Sequence, residues 1–229
     1  MITARGKKPT ARTRPSQPRL KIRTRVCFTV SIDVYSMAKA GMSLTETDSF
    51  LPSRKRLNDP LCRVVLVEPL IPENTGNVSR TCVGTESELH LVGPLGFEIT
   101  ESRVKRAGLD YWRHLALDVH ENFESWADLV RGSHDPRRVF FIETWGETIL
   151  HDAHFQRGDW LVFGKETTGL TREQVESLLG GPEHLSERVL RLPMPGEVRS
   201  LNLSNAVAAS VFELLRQDSV AGRCSALKK

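Results

Sequence analysis

The chain has 229 residues, 39% of them hydrophobic, and a formal net charge of +4. That length suits one domain with an extension, or two small domains. No run reaches the ~18 apolar residues of a membrane-spanning helix, so no membrane partner is expected. The four cysteines, Cys27, Cys62, Cys82 and Cys224, form no C-x-x-C pair. This argues against a zinc ribbon or a dense disulfide framework and for reduced thiols in a cytoplasmic setting.

The charge is uneven. Nine of the 32 basic residues and no acid stand between Met1 and Ile32, which leaves 23 basic against 28 acidic residues in the rest, a net −5. The basic character belongs to the tail and gives no ground for reading the body as nucleic-acid binding. Residues 1–60 are expected to form a basic, disordered extension and 61–229 the folded domain. The tail stays open to three functional readings: an arm that contacts phosphates, an organelle-targeting segment, or sequence upstream of a start at Met37 or Met42. A solvated tail with no specific role is the plain alternative.

Regular patterning begins near Leu61. "RVVLVEP" (63–69) is a β-branched run stopped by proline and predicts a buried strand. "ENTGNVSRTCVGTESE" follows as a helix, with Asn74 placed to cap it and Val78, Cys82 and Val83 on one face. "LHLVG" (89–93) predicts a second strand, 101–107 a short basic helix, "LALDVH" (115–120) a strand, and "FESWADLVRG" (123–132) a helix closed by its glycine. "RVFFIET" (138–144) and "DWLVFG" (159–164) are strands. Thr171 with Gln174 forms a capping box for a helix to Leu179. "RVLRLP" (188–193) is the last strand, and a helix over about 202–216 ends the pattern. Strands alternating with helices predict a parallel α/β sheet covered on both faces.

Ligands of open α/β sheets sit beyond the carboxyl ends of the strands. Three stretches at such ends are rich in small and polar residues: "PENTGNVSR" (72–80), "FGKETTGL" (163–170) and "LPMPGEVRSLNLSN" (192–205). There is no P-loop, no G-x-G-x-x-G after the first strand and no G-x-S-x-G elbow. His151 and His154 in "HDAHF" lack a third and fourth ligand nearby, so no metal is expected. Each polar residue has a plain reading on its own: Asn74 a cap, Arg80 a surface cation, Gly164 and Gly169 turn glycines, Glu166 a turn carboxylate. Their co-occurrence at successive strand ends points instead to one site.

The three stretches resemble the three motifs of the SPOUT (SpoU–TrmD) RNA methyltransferases. "EPLIPENTGNVSRTC", "GPLGFEI" and "RAGLDYW" are similar to the small TrmL-type members, which methylate the ribose 2′-hydroxyl of the wobble nucleotide, cytidine or uridine, of certain tRNAs. The resemblance covers about 63–217. It implies a parallel-sheet α/β fold with a C-terminal deep trefoil knot, a homodimer formed through the knot-region helices, S-adenosylmethionine as cofactor, and a tRNA anticodon stem-loop as partner. It also implies catalytic roles for Asn74, Arg80, Glu166, Ser200 and Asn202, and a methyl-donor pocket lined by Ile142, Gly164, Leu192 and Ser200. Arg80 would act on the 2′-hydroxyl as base or organiser, and Glu166 would orient Arg80 or a backbone amide. Because a guanidinium stays charged in water, stabilising the forming alkoxide or holding a phosphate is the easier role.

Arg103, Lys105 and Arg106 are candidate phosphate contacts, with Tyr111 or Trp112 for stacking on an unpaired base. A solvated helix with its aromatics turned inward is the alternative. Phe212 stands where many family members carry tyrosine. Ribosomal RNA or another tRNA position remains open as the target, as does a non-catalytic RNA-binding role.

Overall fold

The computed structural model describes residues 56–98 and 110–222. The basic tail, the expected helix over 101–107 and the phosphate candidates Arg103, Lys105 and Arg106 lie outside the described residues. Seven strands form one wholly parallel sheet: β1 (Cys62–Val67), β2 (Glu88–Val92), β3 (Leu117–His120), β4 (Val139–Ile142), β5 (Thr148–Ile149), β6 (Asp159–Phe163) and β7 (Val189–Arg191). Their spatial order is β3-β2-β1-β6-β4-β7-β5. The α-helices among the described residues are α1 (Pro72–Gly84), α2 (Phe123–Ser133), α3 (Arg172–Leu179), the one-turn α4 (Leu185–Arg188) and α5 (Leu203–Val220). None of them is long and apolar enough to cross a membrane.

Successive side chains of a strand point to opposite faces, and here both faces are apolar. Val64 and Leu66 of β1, Phe140 and Ile142 of β4, and Leu161 and Phe163 of β6 meet Val78 and Cys82 of α1 and Val207, Val211 and Leu214 of α5. Their alternates Val65, Val67, Val139, Phe141, Trp160 and Val162 meet Trp126 and Val130 of α2 and Val175 and Leu178 of α3. This double burial is why the strands read as continuous apolar runs. Cys62 and Cys82 are free and buried; burial pushes the Cys62 thiol up to about 12 and the Cys82 thiol well above its ordinary value.

Four details differ from the pattern-based expectation. α1 begins at Pro72, so Asn74 lies inside its first turn and Ile71 holds the cap position without a side-chain acceptor. Proline at the first helical position was the start signal, since its missing N–H is not needed there. α2 runs through Gly132 to Ser133 and is opened by an Asn122–Ser125 capping box. α5 continues one turn past Arg216. The two-residue edge strand β5 pairs with β7 and is too short to leave a periodic signature. The Thr171–Gln174 capping box forms as expected.

The loop after β4 passes tightly over β7. A Cβ on Gly146 would lie 2.7 Å from both the Val189 carbonyl oxygen and the Leu190 carbonyl carbon. The nearest atoms are all backbone of β7, so no side chain is able to yield. Gly146→Ala is therefore expected to destabilise the fold by about 1–3 kcal/mol, seen as a lower urea midpoint at unchanged m-value; a wild-type midpoint would mean that the loop does not press on β7.

Candidate active site

No side chain caps α1 at Ile71, whose carbonyl accepts from Asn74 N at 3.1 Å. The N–H groups just ahead of the helix are met by a carboxylate of the β6–α3 loop, about 95 residues away in sequence. The Glu166 carboxylate accepts from Leu70 N at 2.9 Å, Ile71 N at 3.2 Å and Asn74 Nδ2 at 2.9 Å. Asn74 Oδ1 in turn accepts from Asn202 Nδ2 at 2.9 Å. Asn202 Oδ1 accepts from Ser204 N at 2.9 Å and Ser204 Oγ at 2.7 Å, which caps α5.

This chain of bonds has a fixed polarity. An ionised carboxylate only accepts, so Asn74 must present its amide nitrogen to Glu166 and its oxygen to Asn202. Asn202 must then turn its own oxygen to α5. One carboxylate thus orders two amides and two helix starts. Partial burial would raise the Glu166 carboxyl, but the bonds from Asn74, Leu70 and Ile71 outweigh it and hold the group below its ordinary value. The polar run that opens the apolar helix α5 has its explanation in Asn202 and Ser204, while Ser200 and Asn205 are exposed.

Ile142, Gly164 and Leu192 stand at the carboxyl ends of the adjacent strands β4, β6 and β7, the first two buried and Leu192 half-buried. A Cβ at Gly164 would lie 2.2 Å from the Gly169 carbonyl carbon, and Gly169 has φ +65°. The loop closes on itself so tightly that only glycine fits at the first position, and the second needs the left-handed region. Lys165 in this loop donates to the Glu68 carboxylate at 2.6 Å. Glu68, the residue after β1, has φ +50°, a strained conformation for a non-glycine residue.

One residue of this neighbourhood was not singled out from the sequence. Glu143, next after Ile142, accepts from Leu170 N at 2.7 Å and from the backbone of Thr144 and Gly164. Its only signal was a carboxylate directly after a buried strand, which pattern alone does not distinguish from a solvated loop acid.

Arg80 lies six residues beyond Asn74 on α1, exposed, and outside the bonded chain: Glu166 engages the amides at the helix start instead. The Arg80 guanidinium sits 4.7 Å from the centre of the Tyr111 ring. The Tyr111 hydroxyl donates to Gly76 O at 2.9 Å, which ties the ring to the same helix. A cation over a ring face is held without consuming its hydrogen-bond donors. Trp112 is turned inward, 5% exposed.

The Asn74–Asn202 bond should couple energetically. In urea denaturation, Asn74→Ala, Asn202→Ala and the double variant are expected to be non-additive by about 0.5–3 kcal/mol; additive losses would show that the bond carries no stability. Glu166 contributes to the pH dependence. A carboxyl held below its usual 4.5 contributes stability that is fully present above that value and is lost as the pH falls through its folded-state pKa. Glu166→Gln should therefore flatten the acid limb of the stability profile, and an unaltered limb would count against this role.

The profile of the SpoU rRNA Methylase family matches residues 62–212. The tRNA (cytidine(34)-2'-O)-methyltransferase of Burkholderia cenocepacia (strain HI2424) is 45% identical over 159 residues, spanning 69% of this chain and 97% of that one. A solved structure described as giving insight into the 2-OH methylation of C/U34 on tRNA superimposes with a TM-score of 0.60 at 41% identity, over 71% of this chain and 97% of the other. The SpoU methyltransferase AviRb from Streptomyces viridochromogenes, in complex with AdoMet, shares the fold at 22% identity and a TM-score of 0.57, over 72% and 61% of the two chains. The match spans all three polar loops and the sheet that carries them, and the chain belongs to the SpoU methylase family.

Proposed function

We propose that this chain transfers the methyl group of S-adenosylmethionine to the ribose 2′-hydroxyl of the wobble nucleotide, cytidine or uridine, of certain tRNAs. The observation that carries the reading is the bonded set Glu166–Asn74–Asn202, which joins all three polar loops at the carboxyl edge of the sheet. The relative that is 45% identical over 97% of its length is a tRNA (cytidine(34)-2'-O)-methyltransferase, and a related fold holds AdoMet. Ribosomal RNA is the second reading, favoured by the family's description.

The residues present fit the cofactor. In this reading Ile142 and Leu192, at the ends of β4 and β7, would give apolar walls, the Gly164 turn would offer backbone groups, and Ser200 a hydroxyl. The cofactor supplies an electrophilic methyl group on a sulfonium. The chain's own task is to bring the hydroxyl into line and to stabilise the charge that develops on its oxygen. Arg80, positioned by Tyr111, is the cation for that oxygen or for the neighbouring phosphate. Asn74, Glu166 and Asn202 hold the helix that bears it.

The same reading takes 61–229 as the methyltransferase domain and 1–60 as an extension, whose residues Arg56, Leu57 and Asp59 bond to that domain. A C-terminal trefoil knot belongs to the same reading. It is supported by the chain order, in which β6 and β7 enter between strands formed earlier, and by the close passage of Gly146 over β7. Val198, Leu201 and Phe212 are exposed, Phe212 by 57%, and a second copy of this chain is the partner that would cover them; the anticodon stem-loop is the RNA element bound, in the cytoplasm.

Labelled methyl transfer to undermodified tRNA, with nucleoside mass spectrometry, should give a 2′-O-methylated pyrimidine at the wobble position. Label only in ribosomal RNA would support the second reading. Arg80→Ala should lower turnover by about 10²–10³-fold while the thermal midpoint holds; wild-type turnover would remove Arg80 from the mechanism. Phe212→Asp should halve the mass in light scattering, and an unchanged mass would place the interface elsewhere.

A further inference from the structure

Glu143 is a carboxylate without a cation. Its oxygens face backbone N–H groups of Thr144, Gly164 and Leu170, and a Cβ on Gly169 would lie 2.4 Å from Oε2, so the group is wedged inside the Gly164–Leu170 loop. The charged residues of the surrounding stretches are engaged elsewhere or stand apart. Lys165 bonds Glu68, Glu166 bonds the start of α1, and the Arg172 guanidinium lies 4.6 Å from the centre of the Trp145 ring. Glu147 is exposed, and Arg191 of β7 is half-buried. Among the described residues none forms an ion pair with Glu143.

A half-buried anion of this kind is costly to the fold unless something repays it. Burial pushes its carboxyl up to about 7, against the opposing pull of the three N–H groups. A cation arriving beside it would reverse that shift. Of the two forms of the methyl carrier, the donor has a cationic sulfonium and the spent product a neutral thioether, with otherwise the same groups.

We propose that Glu143 is a specificity residue of the methyl-donor pocket, whose carboxylate favours the cationic donor over its neutral product. The proposal rests on the reading of Ile142 and Gly164, its neighbours in sequence and in hydrogen bonding, as walls of that pocket. It gives the buried charge a function: product leaves more readily once the positive charge has left with the methyl group.

The sign of the pH dependence follows. At pH 6 the Glu143 carboxyl is mostly neutral, at pH 8 mostly ionised, and only the ionised form attracts a cation. Calorimetric titration of the full chain with S-adenosylmethionine and with S-adenosylhomocysteine, between pH 6 and 8, reads the preference directly. The affinity ratio of donor to product should rise about fivefold over that range, as expected if the donor lowers the Glu143 carboxyl by about one unit from about 7. In Glu143→Gln, which keeps the shape and removes the charge, the ratio should be flat and lower at pH 8. A ratio that is flat in the wild type, or that rises equally in Glu143→Gln, overturns the proposal. The wild-type titration needs no variant, so a Glu143→Gln protein that failed to fold would still leave the decisive comparison in hand. Amide hydrogen exchange separates the two layers of the argument. If the donor protects Gly164–Leu170 while the ratio is flat, the pocket stands and Glu143 has no part in selection. If the donor leaves that loop unprotected, the pocket reading fails and the proposal with it.

Discussion

The constraint on which the site depends is the uncapped start of α1. The helix begins with proline, has no side-chain cap at Ile71, and leaves the Leu70 and Ile71 N–H groups ahead of it, at its positive dipole end, to be satisfied from elsewhere. The chain answers with a carboxylate from another loop. Once Glu166 is committed there, Asn74 and Asn202 have one orientation each, α5 receives its cap, and the three loops at the carboxyl edge are bound into one body. A local cap on Ile71 would satisfy the helix equally well and leave the loops unconnected. The dependence on a distant partner is what turns a capping requirement into an assembled site.

The opposite edge of the sheet is built on a different principle. Where the strands begin, Arg63 donates to Glu88 at 3.0 Å, Arg138 grips the buried Asp159, and Arg157 donates to Asp218 at 2.8 Å. Burial raises the Asp159 carboxyl despite Arg138 beside it, so these pairs secure the strand starts at some electrostatic cost. Charge is neutralised pairwise there. At the carboxyl edge the Lys165–Glu68 pair stands beside groups held otherwise: Glu143 and Glu166 are met by N–H groups, and Arg80 lies over an aromatic ring. A parallel sheet allows this division because all strand starts share one edge and all strand ends the other.

Much of the sheet was legible in the sequence, since alternation that is apolar on both faces demands helices on both faces, and the Thr171–Gln174 box depends only on residues three apart. What pattern misread were features decided at a distance. Asn74 has the composition of a cap, but a carboxylate brought from the β6–α3 loop made the cap unnecessary and left Asn74 as a relay. Gly132 resembles a helix stop, yet it does not take the left-handed conformation of one, and the helix runs on to Ser133. The identities of Asn74, Glu166 and Asn202 were readable from motif resemblance. Their mutual bonding was not, because hydrogen-bond direction follows from three-dimensional approach. Glu143 escaped notice for the same reason: its significance lies in the amides around it, which carry no sequence signature.

Glu143 and Glu166 show how one loop can place two carboxylates in opposite states. Glu143 is backed by three N–H groups and Glu166 by four, its own among them, and burial widens the difference. Glu166 lies nearer the surface, against a helix start and a side-chain amide, and its bonds prevail; Glu143 is wedged behind glycines, and desolvation prevails, up to about 7. Near neutral pH the first is a permanent anion and the second is close to its midpoint. The Gly164–Leu170 loop therefore has one anchor whose charge does not change and one group whose charge responds to what is bound. The first suits the task of holding α1 in place, and the second suits a group that senses the charge of a ligand.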